Sequence, residues 1–298
     1  MPRELLIAVI AGLIAMFGWG FADFFAKKTI DRIGSVPSLV WAHLFGTLAL
    51  LIFILYQIII AGQLRAYLPA EINIWGGLLF FGALQAIVYL LAYEGFGKGQ
   101  LAVLNPVFAS YSGLAVVISI IIFKEKSNLH LLLALAAIFT GVLLLNIDTK
   151  ALKLKSFRIG TPGFNYVALA ALLAAFWQVF WDKFIHNQNW IFNTLLMYIF
   201  MTLTAFIVAR LQRINLHVPK KGPWILLVLI GLCEVTAYLA LSLGFSVTSF
   251  TSIVIILAGA FSLPTIILAR TFLKEKVTPL QTIATFVIIA GVIFLSIR

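Results

Sequence analysis

From Trp224 to Ala269 the chain carries one charged residue, Glu234, and long apolar stretches of this kind recur along its whole length. About 20 apolar residues in α-helical form match the thickness of a bilayer's hydrocarbon core. Inside that core only helices and closed barrels satisfy every backbone hydrogen bond. The polar breaks bound ten such stretches: 5–26, 36–60, 73–96, 101–123, 129–147, 164–185, 191–209, 224–245, 249–272 and 279–297. With 63% hydrophobic and 10% charged residues, the composition lies far from the roughly 25% charge of a soluble domain. The expected fold is therefore an all-α polytopic membrane protein with ten transmembrane helices.

The loops expected at Lys27–Ser35, Ala61–Ile72 and Asp148–Pro162 are too short to house a soluble catalytic domain. The first stretch continues to Phe25, past the roughly 7–15 apolar residues of a cleavable signal, and is expected to stay as the first helix. The single cysteine, Cys233, reads as a small buried hydrophobe. The net charge of +11 sits at the ends of the stretches, where Lys and Arg meet anionic headgroups, so nucleic acid is not an expected partner. Of the 21 Lys and Arg residues, 6 fall on the side of the termini and 15 on the other. The positive-inside rule then places both termini outside.

The chain also repeats itself. "GALQAIVYLLAYEGF" (82–96) matches "GLCEVTAYLALSLGF" (231–245) at an offset of 149, pairing Gly82 with Gly231, Gln85 with Glu234 and Tyr89 with Tyr238. At an offset of 150, "FKEK" (123–126) matches "LKEK" (273–276), and Gly141-Val142 matches Gly291-Val292. The expected organisation is an N-terminal five-helix repeat (1–148), a basic linker (149–162) and a C-terminal five-helix repeat (163–298). Five is odd, so the second repeat must enter the membrane upside down, as in many secondary transporters.

Glu234 stands near the centre of its stretch, where a charge costs about 2.5–3.5 kcal/mol on insertion scales. Tyr238 follows at i+4 on the same helical face, and Gln85 with Tyr89 repeats the arrangement in the other half. Glu234 is expected either to hold a substrate ammonium or to carry a coupling proton; interhelical packing through a protonated acid is the alternative. Trp19 and Asp23 share a face of the first stretch, as do Trp177 with Trp181 and Gln178 with Asp182 in the sixth. Acids beside indole faces suit cations; the alternative pairs Asp23 with Lys27 and Asp182 with Lys183 at the interface. Asn105, Tyr93, Tyr111 and Ser252 are further polar candidates for a cavity, while His43 reads as a core residue and Glu94 as a loop-edge charge. Pro106 and Pro264 are gate or hinge candidates that free the carbonyls of Ala102 and Ala260. Their offset of 158 argues against symmetric kinks.

Several of these features together resemble the EamA family of the drug/metabolite transporter superfamily over essentially the whole chain. They are ten short spans in two halves, Trp19 and Asp23 within "FGWGFADFFAKK" (17–28), Pro106 in the fourth span, and Glu125 and Glu275 after the fourth and ninth. The resemblance implies export or import of small metabolites, amino acids or drugs through a central cavity. Helices one, three, four, six, eight and nine would line it, with five and ten behind. Related branches carry nucleotide sugars or sugar phosphates, and four-helix relatives exchange cations for protons. Relatives usually keep both termini cytoplasmic, against the charge count here.

The sequence contains no HExxH, GxSxG or Walker motif, and its four histidines do not cluster, so neither an enzyme nor a cofactor or metal is expected. Apart from Lys183, no Lys or Arg lies well inside a stretch. That absence favours amino acids, amines or organic cations over an anionic sugar-phosphate or nucleotide-sugar substrate. The expectation is a secondary transporter of the plasma (inner) membrane, working by alternating access as monomer or dimer. Its partners are a small-molecule substrate, the lipid bilayer and protons as coupling ion. The alternatives are an anionic-substrate carrier, a membrane-embedded enzyme or a non-transporting membrane protein.

Overall fold

The computed structural model describes residues 3–61, 71–123, 129, 132–133, 136–137, 140–141, 144, 161–185, 189–248, 250–275 and 277–295. The linker at 149–160, Glu125 with its neighbours Lys124 and Lys126, and most of the fifth stretch lie outside the described residues. The elements are α1 (Arg3–Ile33), α2 (Ser35–Ala61), α3 (Ile72–Lys98), α4 (Leu101–Ala109), α5 (Tyr111–Phe123), α6 (Phe164–Ile185), α7 (Trp190–Leu211), α8 (Trp224–Val247), α9 (Thr251–Gly259), α10 (Ser262–Leu268) and α11 (Pro279–Leu295). A π-helical turn, Ala269–Leu273, continues α10.

Seven helical stretches are long and apolar enough to span a membrane: α1, α2, α3, α6, α7, α8 and Ile253–Leu273. The expected count of ten is not reached among the described residues, which leave out most of the fifth stretch. The fourth stretch divides at Ser110 into α4 and α5. The last stretch holds α11 over 17 described residues. Lys27–Ile33 is also not the expected loop: α1 runs on through it. Nothing before Gly34 breaks the helix, and Lys27 Nζ meets Asp31 Oδ1 at 2.9 Å across one turn. Gly34 then ends it at φ +90°, a conformation a Cβ resists.

The helices are inside-out relative to a soluble bundle. α1 turns Leu6, Ile10, Phe17 and Phe21 outward and buries Ala8, Ala11, Ala15, Gly18 and Ala22. Lipid solvates the large side chains as well as a core would, so packing inside is won by small residues that let backbones approach. α6 does the same with Ala170, Ala171, Ala174 and Ala175.

The two halves pack in matching pairs: α1 lies on α8 as α6 lies on α3, and α3 lies on α7 as α8 lies on α2. Glycines set the second correspondence. A Cβ on Gly82 would meet the Met197 carbonyl of α7, and one on Gly231 the Ala42 carbonyl of α2. Ala42 and Met197 are 155 apart, as are Thr47 and Thr202, whose hydroxyls meet at 2.8 Å. α1 and α3 end where α6 begins, with Gly97 against Ile30 and Gly95 against Gly163 and Val167. The halves therefore traverse the bundle in opposite directions. At that same end the Glu275 carboxylate accepts from the first N–H groups of α4, Leu101 at 3.0 Å and Ala102 at 2.7 Å, a charge on a helix N-terminus.

Gly231→Ala is expected to destabilise by about 1–3 kcal/mol, as overpacking does, lowering the thermal midpoint of the purified protein. Gly76→Ala, where a Cβ meets nothing within 4 Å, is expected to leave that midpoint unchanged or slightly raised. Equal midpoints for the two variants would contradict the close approach of α8 to α2.

Candidate functional site

Where the two halves face each other, helical spacing brings polar side chains together. α1 presents Trp19 and Asp23 at i, i+4; α3 presents Gln85, Tyr89 and Tyr93 at i, i+4, i+8; α8 presents Glu234 and Tyr238. Every one of them is buried. Between α1, α3 and α6 lies a narrow cavity of about 20 Å³, room for about one water molecule. Its walls are Trp19 and Asp23 of α1, Gln85 and Tyr89 of α3, and Ala174, Trp177 and Gln178 of α6, closed by Phe108, Tyr111 and Phe261.

Asp23 is 3% exposed, and its Oδ2 accepts a hydrogen bond from Asn105 Nδ2 at 2.6 Å. Asn105 thus reaches the cavity through Asp23, without lining it. The alternative pairing of Asp23 with Lys27 does not form: Lys27 binds Asp31 and the Phe96 carbonyl. Trp177 donates to the Phe81 carbonyl at 3.0 Å. Trp181 lies behind Trp177, stacked at 5.3 Å, and is not a wall residue. Four polar atoms of the cavity walls have no hydrogen-bond partner among the described residues: Trp19 Nε1, Gln85 Oε1, Gln178 Nε2 and Tyr111 OH. Buried polar groups are rarely left so.

Glu234 is 0% exposed and does not line the cavity. Tyr93 donates to its Oε1 at 3.1 Å and Tyr198 to its Oε2 at 2.8 Å. His43 Nε2 approaches Oε2 to 3.1 Å, but off the line of a ring N–H bond, so neither ring nitrogen has an aligned hydrogen bond. Tyr238 also sits behind the wall. It accepts from Gln85 Nε2 at 2.6 Å and meets Trp19, Trp177 and Tyr198 edge-on. The four residues of the repeat divide accordingly, Gln85 and Tyr89 at the cavity, Glu234 and Tyr238 one layer back.

Sequence reasoning passed over Tyr198 and left His43 in the core. The missing signal was a second register: "WAHLFGT" (41–47) aligns with "LMYIFMT" (196–202) at an offset of 155, which pairs His43 with Tyr198. Ser35 and Lys98 bind Glu94 at the edge of the bundle, away from this cluster.

The helix breaks fall elsewhere than the prolines suggest. α4 ends at Ala109, on the far side of Pro106 from the expected Ala102. α9 stops at Gly259, and the Ala260 carbonyl that Pro264 frees accepts Leu263 N–H at 3.0 Å. Ser110 and Ala260 are 150 apart, so the breaks are symmetric although the prolines are not. Pro264 packs against Gly20 of α1.

Tyr198→Phe is expected to destabilise the protein by about 1.5–3 kcal/mol, the usual worth of a hydrogen bond to an ionisable partner. In a Glu234→Leu background the same change is expected to cost far less, a coupling that a double-mutant cycle of thermal unfolding measures. Additive effects would mean that the two side chains do not interact.

The EamA-like transporter family matches residues 6–147 and again 161–297. No curated protein is significantly similar to the chain. One solved protein crystal structure superposes with a TM-score of 0.66 at 15% identity, covering 96% of this chain and 95% of its own. At that identity the likeness concerns the fold alone.

Proposed function

The chain belongs to the EamA-like transporter family, and from that premise we propose that it is a secondary transporter of small amine-bearing metabolites. Amino acids or organic cations would cross by alternating access through the cavity between the two halves. The observation that carries this reading is the chemistry of the cavity wall, which among the described residues has one carboxylate, Asp23, two indoles, Trp19 and Trp177, and no Lys or Arg. An ammonium gains from the carboxylate and from the ring faces. A phosphate would meet an acid and no cation, which removes its main source of binding energy.

The unpartnered wall atoms fit the same class. Trp19 Nε1 and Gln178 Nε2 are donors, Gln85 Oε1 is an acceptor, and the Tyr111 hydroxyl is either. A zwitterionic amino acid offers a carboxylate to the donors and an ammonium to Asp23 and Gln85. The symmetric breaks at Ser110 and Ala260 supply hinges at which the two ends of the pathway open in turn, with Pro106 and Pro264 keeping those helices from healing. Glu234 serves coupling, the termini face outward from the plasma membrane, and the two fused halves make a complete pathway in one chain.

The test is a thermal-shift screen of purified protein against amines, amino acids, nucleosides and sugar phosphates, followed by uptake of the hits into proteoliposomes. Amine-bearing compounds are expected to stabilise the protein. Asp23→Asn is expected to weaken their binding about tenfold or more, the equivalent of about 1.4 kcal/mol. Stabilisation by sugar phosphates alone, or amine binding indifferent to Asp23→Asn, would sink the proposal.

A further inference from the structure

Glu234 poses a problem that the cavity does not solve. It is a carboxyl with no exposure, one layer away from the space where substrate would sit. The groups that meet it are His43 from α2, Tyr93 from α3 and Tyr198 from α7; Tyr89 and Tyr238 lie against the His43 and Tyr198 rings, and Asp23 of α1 lines the cavity beyond Tyr89. None is a Lys or Arg, so only the His43 imidazole can offset a charge there. His43 is itself fully buried, and packing does not account for it, because both of its ring nitrogens lack an aligned hydrogen bond.

We propose that Glu234 and His43 form a single proton-binding pair, distinct from the substrate cavity, and that Tyr89 with the Gln85–Tyr238 hydrogen bond forms the partition between the two. This rests on the transporter reading and gives it a coupling ion and a stoichiometry of one. With one proton the pair is neutral overall, as carboxylic acid and imidazole or as carboxylate and imidazolium. A second proton leaves a buried positive charge, and none leaves a buried negative one. The interior favours the neutral form, and the proton belongs to the pair, not to either residue.

Release breaks the O–H bond of Glu234 or the N–H bond of His43, and the bonding electrons stay behind. The proton passes to water on the side then open. The carboxylate that remains is held by the Tyr93 and Tyr198 hydroxyls. What drives release is a compensating positive charge, and the cavity can supply one. Asp23 lines the cavity on one side of the partition and the Glu234–His43 pair lies on its other side, so negative charges at the two carboxyls repel across it. An ammonium seated at Asp23 therefore favours loss of the proton at Glu234, and a proton at Glu234 disfavours the ammonium by the same amount. The result is exchange of one proton for one cation through two carboxyls.

The partition is one side chain thick. The Tyr89 ring lines the cavity on one side and meets the His43 ring edge-on at 5.4 Å on the other. Gln85 lines the cavity and holds Tyr238 by its amide. Symmetry confines the function to one site: the counterparts of Glu234 and His43 in the other halves are Gln85 and Tyr198, which together offer no second proton carrier.

The experiment uses the full chain in liposomes loaded with a pH-sensitive dye, under a potassium diffusion potential and with no organic substrate. Tyr89→Ala is expected to leak protons several-fold faster than the unmodified protein. Tyr89→Ala/Glu234→Gln is expected to return to the unmodified rate, and Tyr89→Ala/His43→Gln to alter the pH profile of the leak. A leak undiminished by Glu234→Gln, or Tyr89→Ala vesicles as tight as those of the unmodified protein, would overturn the proposal. An independent reading that needs no partition variant is nitrogen NMR of the histidines: the His43 ring-nitrogen signals are expected to move in Glu234→Gln. Unmoved signals would equally overturn the pairing. Absence of amine transport alongside the expected leak and signal change counts against the transporter reading alone; amine transport without them counts against the proton pair alone.

Discussion

A carboxyl group with no exposure to solvent must find its partners inside the protein, and Glu234 finds them on three other helices. Tyr93 of α3, Tyr198 of α7 and His43 of α2 all converge on one side chain of α8. The penalty for an unsatisfied acid in hydrocarbon is several kcal/mol, so these four helices cannot separate freely once the acid is buried between them. The closest backbone approaches sit in the same place. Gly231 lies one turn before Glu234 and lets α8 touch α2, and Gly82 performs the equivalent service between α3 and α7. Small residues bring the backbones together, and the polar cluster fixes which helices they are.

That division shapes the rest of the bundle. α1 and α6, rich in alanine on their inner faces, carry the wall residues Trp19, Asp23, Trp177 and Gln178. The broken helices α4–α5 and α9–α10 close the cavity with Phe108, Tyr111 and Phe261, residues that stand at or beside the breaks. The polar cluster around Glu234 and the broken helices thus lie on opposite sides of the cavity walls. Glu275, seated on the N-terminus of α4, ties the far end of the tenth element's turn to one of those broken helices.

Much of the site was legible because helical periodicity is local. Trp19 with Asp23, Gln85 with Tyr89 and Glu234 with Tyr238 follow from i, i+4 spacing, and the structure buries all six between the two halves. Three kinds of information were not local. Which residues form the wall and which stand behind it depends on helix rotation, so Glu234, Tyr238, Trp181 and Asn105 fell one layer deeper than expected. Lys27 turned to Asp31 and a backbone carbonyl, because α1 continues as helix and sets an i+4 partner beside it. The helix breaks obeyed the pseudo-twofold axis, and not the prolines: Pro106 lies inside α4 and Pro264 in the first turn of α10, while a break must fit the neighbouring helix.

By itself the sequence determined that the chain is helical, lies in a membrane and is built twice. Apolar length, the backbone's need for hydrogen bonds and the 149-residue repeat leave no other class of structure. It also determined that an acid would be buried near the middle of a helix. Tertiary structure alone decided which groups answer that acid. His43 and Tyr198 lie far from Glu234 along the chain, on helices whose own repeat runs at an offset of 155, and only packing brings them within 3.1 Å and 2.8 Å of it. The physical reason is that composition fixes the solvent in which a helix is stable, whereas the partners of a buried charge are set by how helices turn and cross, a property of pairs of helices that neither sequence segment encodes alone.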